Sequence, residues 1–204
     1  MDPHSELEIK FRAQRVSIKD FHEMVLSLSN DTPTPSLVQI NGFKSIPGRD
    51  TYFILNEQPL RLRTGGDRES ELTYKQRKST KSIVDRVEIN LPLKYGTNEV
   101  SVKKLLGYLG AEEVFCIDKV SHIYNVTGKY GTAEFHATLA LYDVTEEGTT
   151  KTDRFLEVEV EAASSCSEEI ALKVLDKWRR LIKDELDVDG PINESLFEIY
   201  NKGK

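Results

Sequence analysis

The residues with the clearest potential for chemistry lie in the segment 5–11, Ser-Glu-Leu-Glu-Ile-Lys-Phe. In a strand, side chains repeat every two residues, so Glu6, Glu8 and Lys10 share one face and apolar residues share the other. Carboxylates suit a divalent metal ion, and a lysine suits a phosphate group. An amphipathic strand with a solvated charged face explains this heptapeptide at least as well.

The same alternation recurs far along the chain. Residues 156–161 read Leu-Glu-Val-Glu-Val-Glu, which places Glu157, Glu159 and Glu161 on one face of a second strand. Two acidic strands of this kind in one chain favour a functional role over a merely solvated surface.

Composition limits the class of protein. A chain of 204 residues with 38% hydrophobic residues can bury one sizeable core, which predicts a single domain over 1–204. No apolar run is long enough to span a membrane, and residues 1–4 lack the features of a signal peptide. We therefore expect a soluble, cytoplasmic protein without a membrane partner.

Charge and cysteine content narrow the partners further. The net charge of −6 argues against a nucleic-acid duplex as partner, because such surfaces are basic. Cys116 and Cys166 lack metal-ligand spacing, which predicts buried free thiols. A monomer and a homodimer both remain open.

Strands predominate along the chain, with a few helices between them. Helical periodicity is found over residues 18–29 and 100–109, and Ser167 followed by two glutamates is typical of a helix start. Pro47-Gly48 is interpreted as a turn between two extended segments.

Charged residues alternate with apolar ones on most of the predicted strands. Six acidic and six basic residues follow this rule: Glu6, Glu8, Lys10, Arg61, Arg63, Lys75, Arg77, Arg86, Glu88, Glu157, Glu159 and Glu161. Charges are buried only when they are paired or liganded. If the strands close with these faces inward, a polyanion with divalent cations would satisfy them.

Several motifs in order along the chain resemble the CYTH superfamily, also called triphosphate tunnel metalloenzymes. Residues 6–10 match its Glu-x-Glu-x-Lys signature, and residues 155–159 its late Phe-x-Glu-x-Glu element. The other matching segments are Asp50-Thr51-Tyr52-Phe53, Leu60-Arg61-Leu62-Arg63, Leu72-Thr73-Tyr74-Lys75, Arg86-Val87-Glu88 and residues 195–200.

The resemblance implies an α+β fold, a closed eight-stranded antiparallel tunnel with a charged interior and helices outside. It further implies a triphosphate-processing metalloenzyme that uses Mg²⁺ or Mn²⁺. Metal ligands would be Glu6, Glu8, Glu157, Glu159 and Asp143, and catalytic residues Glu8, Glu159, Lys10 and Glu88. Substrate phosphates would be bound by Lys10, Arg61, Arg63, Lys75, Arg77, Arg86 and Lys119.

Two positions depart from the family pattern. The family has Lys-x-Arg where this chain has Lys119-Val120-Ser121, so one cation is missing unless His122 or Arg77 replaces it. Asp143 has the same parity as Leu139 and Leu141, so a β-bulge would be needed to turn it inward.

Three functions are compatible with these residues. The first is hydrolysis of inorganic tripolyphosphate or a nucleoside or thiamine triphosphate, by two-metal activation of water. The alternative is a class IV adenylate cyclase, which makes cyclic AMP and pyrophosphate from ATP. A non-catalytic domain that binds polyphosphate or a nucleotide is the third.

Overall fold

The structure is a computed structural model that describes residues 5–27, 39–65, 69–77, 84–94, 96–162 and 166–202. Residues 5–6, 75–77, 84–88 and 162 of its strands are described by their backbone alone.

Nine strands and four helices are found in the described part of the chain. In order they are β1 (Ser5–Arg12), α1 (Ile18–Ser27), β2 (Gln39–Leu55), β3 (Gln58–Thr64), β4 (Glu71–Arg77), β5 (Val84–Pro92), α2 (Glu99–Tyr108), β6 (Glu112–Tyr130), β7 (Ala133–Glu146), β8 (Thr152–Ala162), α3 (Glu168–Glu185), β9 (Asp189–Ile192) and α4 (Leu196–Tyr200). The predicted helices at 18, 100 and 168 are confirmed. None of the described helices is long and apolar enough to cross a membrane.

The strands form one antiparallel sheet in the order β5-β4-β3-β2-β6-β7-β8-β1-β9. β1 pairs with β8 along its whole length, from Ser5 to Arg12. Its other edge is shared, because Ser5–Glu8 pair with β5, whereas Lys10 and Arg12 pair with β9.

The prediction of an eight-stranded closed tunnel needs correction. The sheet has nine strands, and it is not the plain closed ring that was predicted, because β9 takes part of the β1 edge. β9 escaped prediction because Gly190 and Pro191 are unusual in strands. Gly190 has a φ of 122°, and a Cβ at this position would lie 2.9 Å from the backbone nitrogen of Ile192. Any residue with a side chain would therefore be strained at position 190.

The segment around Pro47 also differs from its prediction. Pro47 and Gly48 do not turn the chain but lie within the long strand β2, opposite Val120 and Lys119 of β6. β2 pairs with β3 only from Arg49 onward. A proline is tolerated at such a position because, in the described part of the chain, only one edge of β2 is paired there.

The main core lies between one face of the sheet and the helices α1 and α3. Leu7, Ile9 and Phe11 of β1 are buried there together with Val174 and Trp178 of α3. Burial of each such side chain contributes about 1.5–3 kcal/mol. The alternation of the sequence thus holds: the apolar faces of β1 and β8 pack under helices.

The opposite face of the sheet is charged in the middle and apolar at one end. A second cluster on this face includes Tyr52, Phe115, Tyr142 and Phe155, which are all buried, and is covered by Leu196 of α4. Phe155 continues the alternation of Glu159 and Glu157, and Phe115 that of Lys119. The interior is therefore not uniformly charged, and α4 packs against its aromatic end.

Candidate active site

The acidic side of the site is built by the pairing of β1 with β8. Glu8 lies directly opposite Glu159, and Lys10 lies opposite Glu157. Like charges at opposed positions of an antiparallel pair destabilise it. The register therefore concentrates negative charge beside a single lysine.

Lys10 lies between two of these carboxylates. Its Nζ is 3.0 Å from Oε2 of Glu157 and 3.4 Å from Oε1 of Glu8. Glu8 and Lys10 are each only 4% exposed, so these charges are shielded from bulk water. Tyr142 also donates a hydrogen bond from its hydroxyl to Oε2 of Glu157, at 3.1 Å.

Cations line the same cavity from other strands. The cavity has a volume of about 440 Å³, and its wall includes Glu8, Lys10, Glu157 and Glu159 together with Arg61, Arg63 and Lys119. Arg61 and Arg63 project from alternate positions of β3, and Lys119 projects from β6. One cavity thus has carboxylates on β1 and β8 and cations on β3 and β6.

Asp50 holds Arg63 in place. Nε and Nη2 of Arg63 donate to the two carboxylate oxygens of Asp50, at 2.7 and 2.9 Å. Asp50 is 1% exposed. Burial opposes its ionisation, but the adjacent guanidinium outweighs burial and holds the pKa of Asp50 well below its usual value.

Lys119 has an unusual environment for a lysine. Its Nζ lies 3.5 Å from the centre of the Tyr142 ring. Burial, reinforced by the nearby Arg63 charge, lowers the pKa of Lys119 to about 7, although Glu157 and Asp50 oppose the change. An anion beside Lys119 would favour its charged form, so phosphate binding would be coupled to proton uptake near neutral pH.

A second cavity of about 280 Å³ adjoins the first. The two share Arg63, Lys119, Glu157 and Glu159 in their walls. The shared residues are therefore the point at which a ligand could extend from one cavity into the other.

The position where the family cation is missing lies in this second cavity. Ser121 is buried in its wall, whereas His122 lines neither cavity. The His122 ring stacks on Phe43 with centroids 6.1 Å apart, and burial lowers its pKa. The structure therefore does not place His122 where it could replace the missing cation.

Asp143 is placed away from both cavities. Its two carboxylate oxygens accept hydrogen bonds from Nε and Nη2 of Arg154, at 2.6 and 2.8 Å. The pairing of β7 with β6 and β8 continues through Asp143 without a bulge. It thus keeps the parity of Leu139 and Leu141 and lines neither cavity.

Five predicted site residues have side chains outside the described part of the chain: Glu6, Lys75, Arg77, Arg86 and Glu88. Their backbone positions are known from the strand pairing. Glu6 lies opposite Arg86 and Glu161, and Lys75 lies opposite Glu88.

Several residues of the cavity wall were not among the predicted site residues. Tyr142, Glu71, Thr73 and Glu198 contribute to the wall, and Asp50 orients Arg63. Asp50 could have been identified from the sequence, since it is the first residue of one of the family-like motifs. Tyr142 could not, because one tyrosine in an apolar strand is typical of a core residue.

Carboxylate oxygens are suitable ligands for a divalent cation, but the described carboxylates are not arranged around a single metal-binding position. Glu8 is buried, Glu159 is half-buried, and the two oppose each other in one cavity wall, so a cation between them would relieve their repulsion. Among the described residues, no group of three or more acidic, histidine or cysteine side chains is close enough to hold a metal ion. Lys10 contacts two of the candidate ligands instead.

Comparison with known families decides the affiliation. The profile of the CYTH domain matches residues 4–189. This chain belongs to the CYTH domain family. CYTH proteins generally process triphosphates and are generally metal-dependent. The resemblance derived from the motifs is therefore confirmed.

Solved structures related to this CYTH chain include the PH1819 protein from Pyrococcus horikoshii OT3. It is 19% identical, with a TM-score of 0.55, and the match covers 98% of this chain and 99% of that one. The Pct1 RNA triphosphatase of S. pombe is 11% identical, with a TM-score of 0.46 and coverage of 87% and 84%. The first of these supports the fold. Comparison with curated proteins gave no significant match.

Proposed function

We propose that this CYTH protein is a metal-dependent phosphohydrolase that acts on a triphosphate. The observation that carries the proposal is the single cavity in which Glu8, Glu157 and Glu159 face the same space as Arg61, Arg63 and Lys119. A row of cations suits the phosphates of a polyanion, and shielded carboxylates suit the cations that accompany it.

Enclosure of the substrate is part of the proposal. The cavity wall combines residues of β1, β3, β6 and β8, so several strands would contact the phosphate chain. Enclosure strengthens each electrostatic contact, because less water screens the charges. The lowered pKa of Lys119 is consistent with such shielding.

Glu8, Glu157 and Glu159 are the residues that would hold Mg²⁺ or Mn²⁺, with Glu6 beside them on β1. When bound, the cation would lower the pKa of a coordinated water and offset charge on the phosphate oxygens. Release of Lys10 from Glu8 and Glu157 would then leave its ammonium group available to a phosphate.

The remaining residues position the substrate. Arg61, Arg63 and Lys119 would bind the phosphate oxygens and orient the terminal phosphorus toward the acidic side. Asp50 holds the Arg63 guanidinium, so this cation is already oriented before the substrate arrives. Attack by water at the terminal phosphorus then releases phosphate and leaves a diphosphate.

The function is tested by incubating the protein with tripolyphosphate, ATP or thiamine triphosphate in Mg²⁺ or Mn²⁺. We expect release of phosphate, and its loss in excess EDTA, because the acidic side would otherwise repel the substrate. Separation of phosphate, pyrophosphate and cyclic AMP distinguishes hydrolysis from cyclisation. Full turnover in excess EDTA would show that the metal requirement is wrong.

Binding is expected to stabilise the folded protein. The charges in the cavity gain partners when tripolyphosphate and Mg²⁺ enter, and the unfolded chain offers no such site. At a ligand concentration of about 100 times Kd, the stabilisation is about 2.7 kcal/mol, which raises the melting temperature by several degrees. Sulfate at equal ionic strength is the control. Equal shifts with both anions would indicate general screening and contradict an enclosed site.

A further inference from the structure

Tyr142 of β7 lies between a cation and a carboxylate of the site. In the sheet, β7 runs between β6, which carries Lys119, and β8, which carries Glu157. Tyr142 pairs with Ser121 of β6 and with Phe155 of β8. Lys119 and Glu157 are each two positions from these partners, so they are diagonal neighbours of Tyr142 on the same face of the sheet. Aromatic side chains are long enough to contact such diagonal neighbours.

Tyr142 contacts the two charged groups with different parts of its side chain. The centre of its ring lies 3.5 Å from Nζ of Lys119, and its hydroxyl donates a hydrogen bond to Oε2 of Glu157 at 3.1 Å. The ring also packs against that of Phe155, with centroids 5.7 Å apart, and Tyr142 is only 1% exposed. Burial raises the pKa of Tyr142 well above its usual value, so the hydroxyl remains a donor.

The two charges would attract each other if Tyr142 were absent. The attraction is already present, since the charge of Glu157 opposes the lowering of the Lys119 pKa. Little water screens charges at this depth, so a direct ion pair would be strong. Such a pair would occupy both an ammonium group that suits a phosphate and a carboxylate that suits a divalent cation. Tyr142 gives each group a neutral partner instead, in a cation–π contact and a hydrogen bond.

We propose that Tyr142 is a positioning residue that keeps Lys119 and Glu157 apart, so that a phosphate can bind the first and a divalent cation the second. The proposal rests on the proposed function and deepens it, because it assigns a role to a residue between the two halves of the site. Tyr142 itself contacts neither phosphate nor metal in this role. It acts through the positions of the two charged side chains.

The test uses two variants of Tyr142 and one matched control. Tyr142→Phe retains the ring beside Lys119 and removes only the hydroxyl, whereas Tyr142→Leu removes the ring as well. Tyr200→Phe is the control: the Tyr200 hydroxyl also donates to a carboxylate, that of Asp153 at 3.0 Å, but Tyr200 lines neither cavity. Thermal unfolding checks that each variant is folded. If Tyr142→Leu does not fold, the Mn²⁺ affinity of Tyr142→Phe decides the proposal.

Two measurements separate the two contacts. Calorimetric titration with Mn²⁺ alone reports on Glu157, and KM for tripolyphosphate at saturating Mg²⁺ reports on Lys119. Tyr142→Phe should weaken Mn²⁺ binding about 10-fold, the scale of losing a hydrogen bond to a metal ligand, and leave KM unchanged. Tyr142→Leu should weaken Mn²⁺ binding further and raise KM about 10-fold, because Lys119 then pairs with Glu157. Tyr200→Phe should match the wild type in both measurements.

A double-mutant cycle tests the separation itself. Lys119→Met removes the ammonium group that competes with the metal for Glu157 once the Tyr142 ring is gone. It should therefore raise the Mn²⁺ affinity about 5-fold more in the Tyr142→Leu background than in the wild type, which is within the range of coupling between residues in contact. If Tyr142 acted only by packing, Lys119→Met would have the same effect in both backgrounds.

Three results overturn the proposal: wild-type Mn²⁺ affinity in the Tyr142 variants, an equal loss in Tyr200→Phe, or no coupling between Tyr142 and Lys119. Hydrolysis is judged separately. If the wild type releases no phosphate from tripolyphosphate but its Mn²⁺ binding depends on Tyr142, the proposed hydrolysis is wrong and the role of Tyr142 stands. If it hydrolyses tripolyphosphate and the Tyr142 variants do the same with unchanged Mn²⁺ affinity, only the role of Tyr142 is wrong. A wild type that neither hydrolyses tripolyphosphate nor binds Mn²⁺ overturns both.

Discussion

Glu8→Gln and Glu159→Gln should each lower kcat by about 10²-fold or more, the scale associated with a misplaced catalytic group. Both residues lie in the cavity wall and directly oppose each other, so each amide removes half of a pair of candidate metal ligands. The fold should be retained, and the melting temperature should rise or stay the same, because a like-charge repulsion is removed. Steady-state kinetics together with thermal unfolding measure both effects.

Glu161→Gln is the matched control for these variants. Glu161 follows Glu159 at the next alternate position of β8, yet it is exposed and lines neither cavity. We expect it to retain wild-type kcat. A comparable loss in Glu161→Gln would mean that the general charge of the strand matters rather than a site at Glu8 and Glu159.

Asp50→Asn should lower the free energy of unfolding by about 3 kcal/mol, the lower end of the cost of breaking a buried ion pair. The lower end applies because the Arg63 side chain is 26% exposed and retains some solvent. Urea denaturation at pH 7 measures the change. Asp118→Asn is the control: Asp118 pairs with Arg49, but its side chain is 60% exposed, so the expected cost is about 0–1 kcal/mol.

The pH dependence of the same comparison has a definite sign. The pKa of Asp50 is lower in the folded protein than its usual value of 3.8, so its contribution to stability is present above about pH 4 and is lost as the pH falls below that value. The difference in the free energy of unfolding between wild type and Asp50→Asn should therefore shrink as the pH is lowered from about 5 to about 2. A difference that is constant over this range would contradict the ionised Asp50–Arg63 pair.

Local sequence patterns were sufficient for much of the fold. Ser167 was predicted to begin a helix, and its side chain accepts from the Ile170 N–H at the start of α3. Cys116 and Cys166 were predicted to be free and buried, which is confirmed. These predictions succeed because capping and alternation depend on residues only a few positions apart.

Prediction failed where a distant strand decides the local structure. Pro47 looked like part of a turn, but β6 beside it keeps the chain extended. No strand was predicted at Gly190 and Pro191, but the edge of β1 beyond β5 pairs with them as β9. Neither neighbour can be inferred from the few residues around these positions.

For the site, the sequence by itself determined which residues share a face, because alternation is a property of one strand. It therefore selected Glu8, Lys10, Arg61, Arg63, Glu157 and Glu159, all of which the structure brings into one cavity wall. Only the tertiary structure decided which faces meet and at what register. The register opposes Glu8 to Glu159 and Lys10 to Glu157, and the continuous pairing of β7 leaves Asp143 with Arg154. The tertiary structure also places α4 over the aromatic end of the sheet. Alternation within one strand does not show where its charged face ends, because that depends on packing with distant residues.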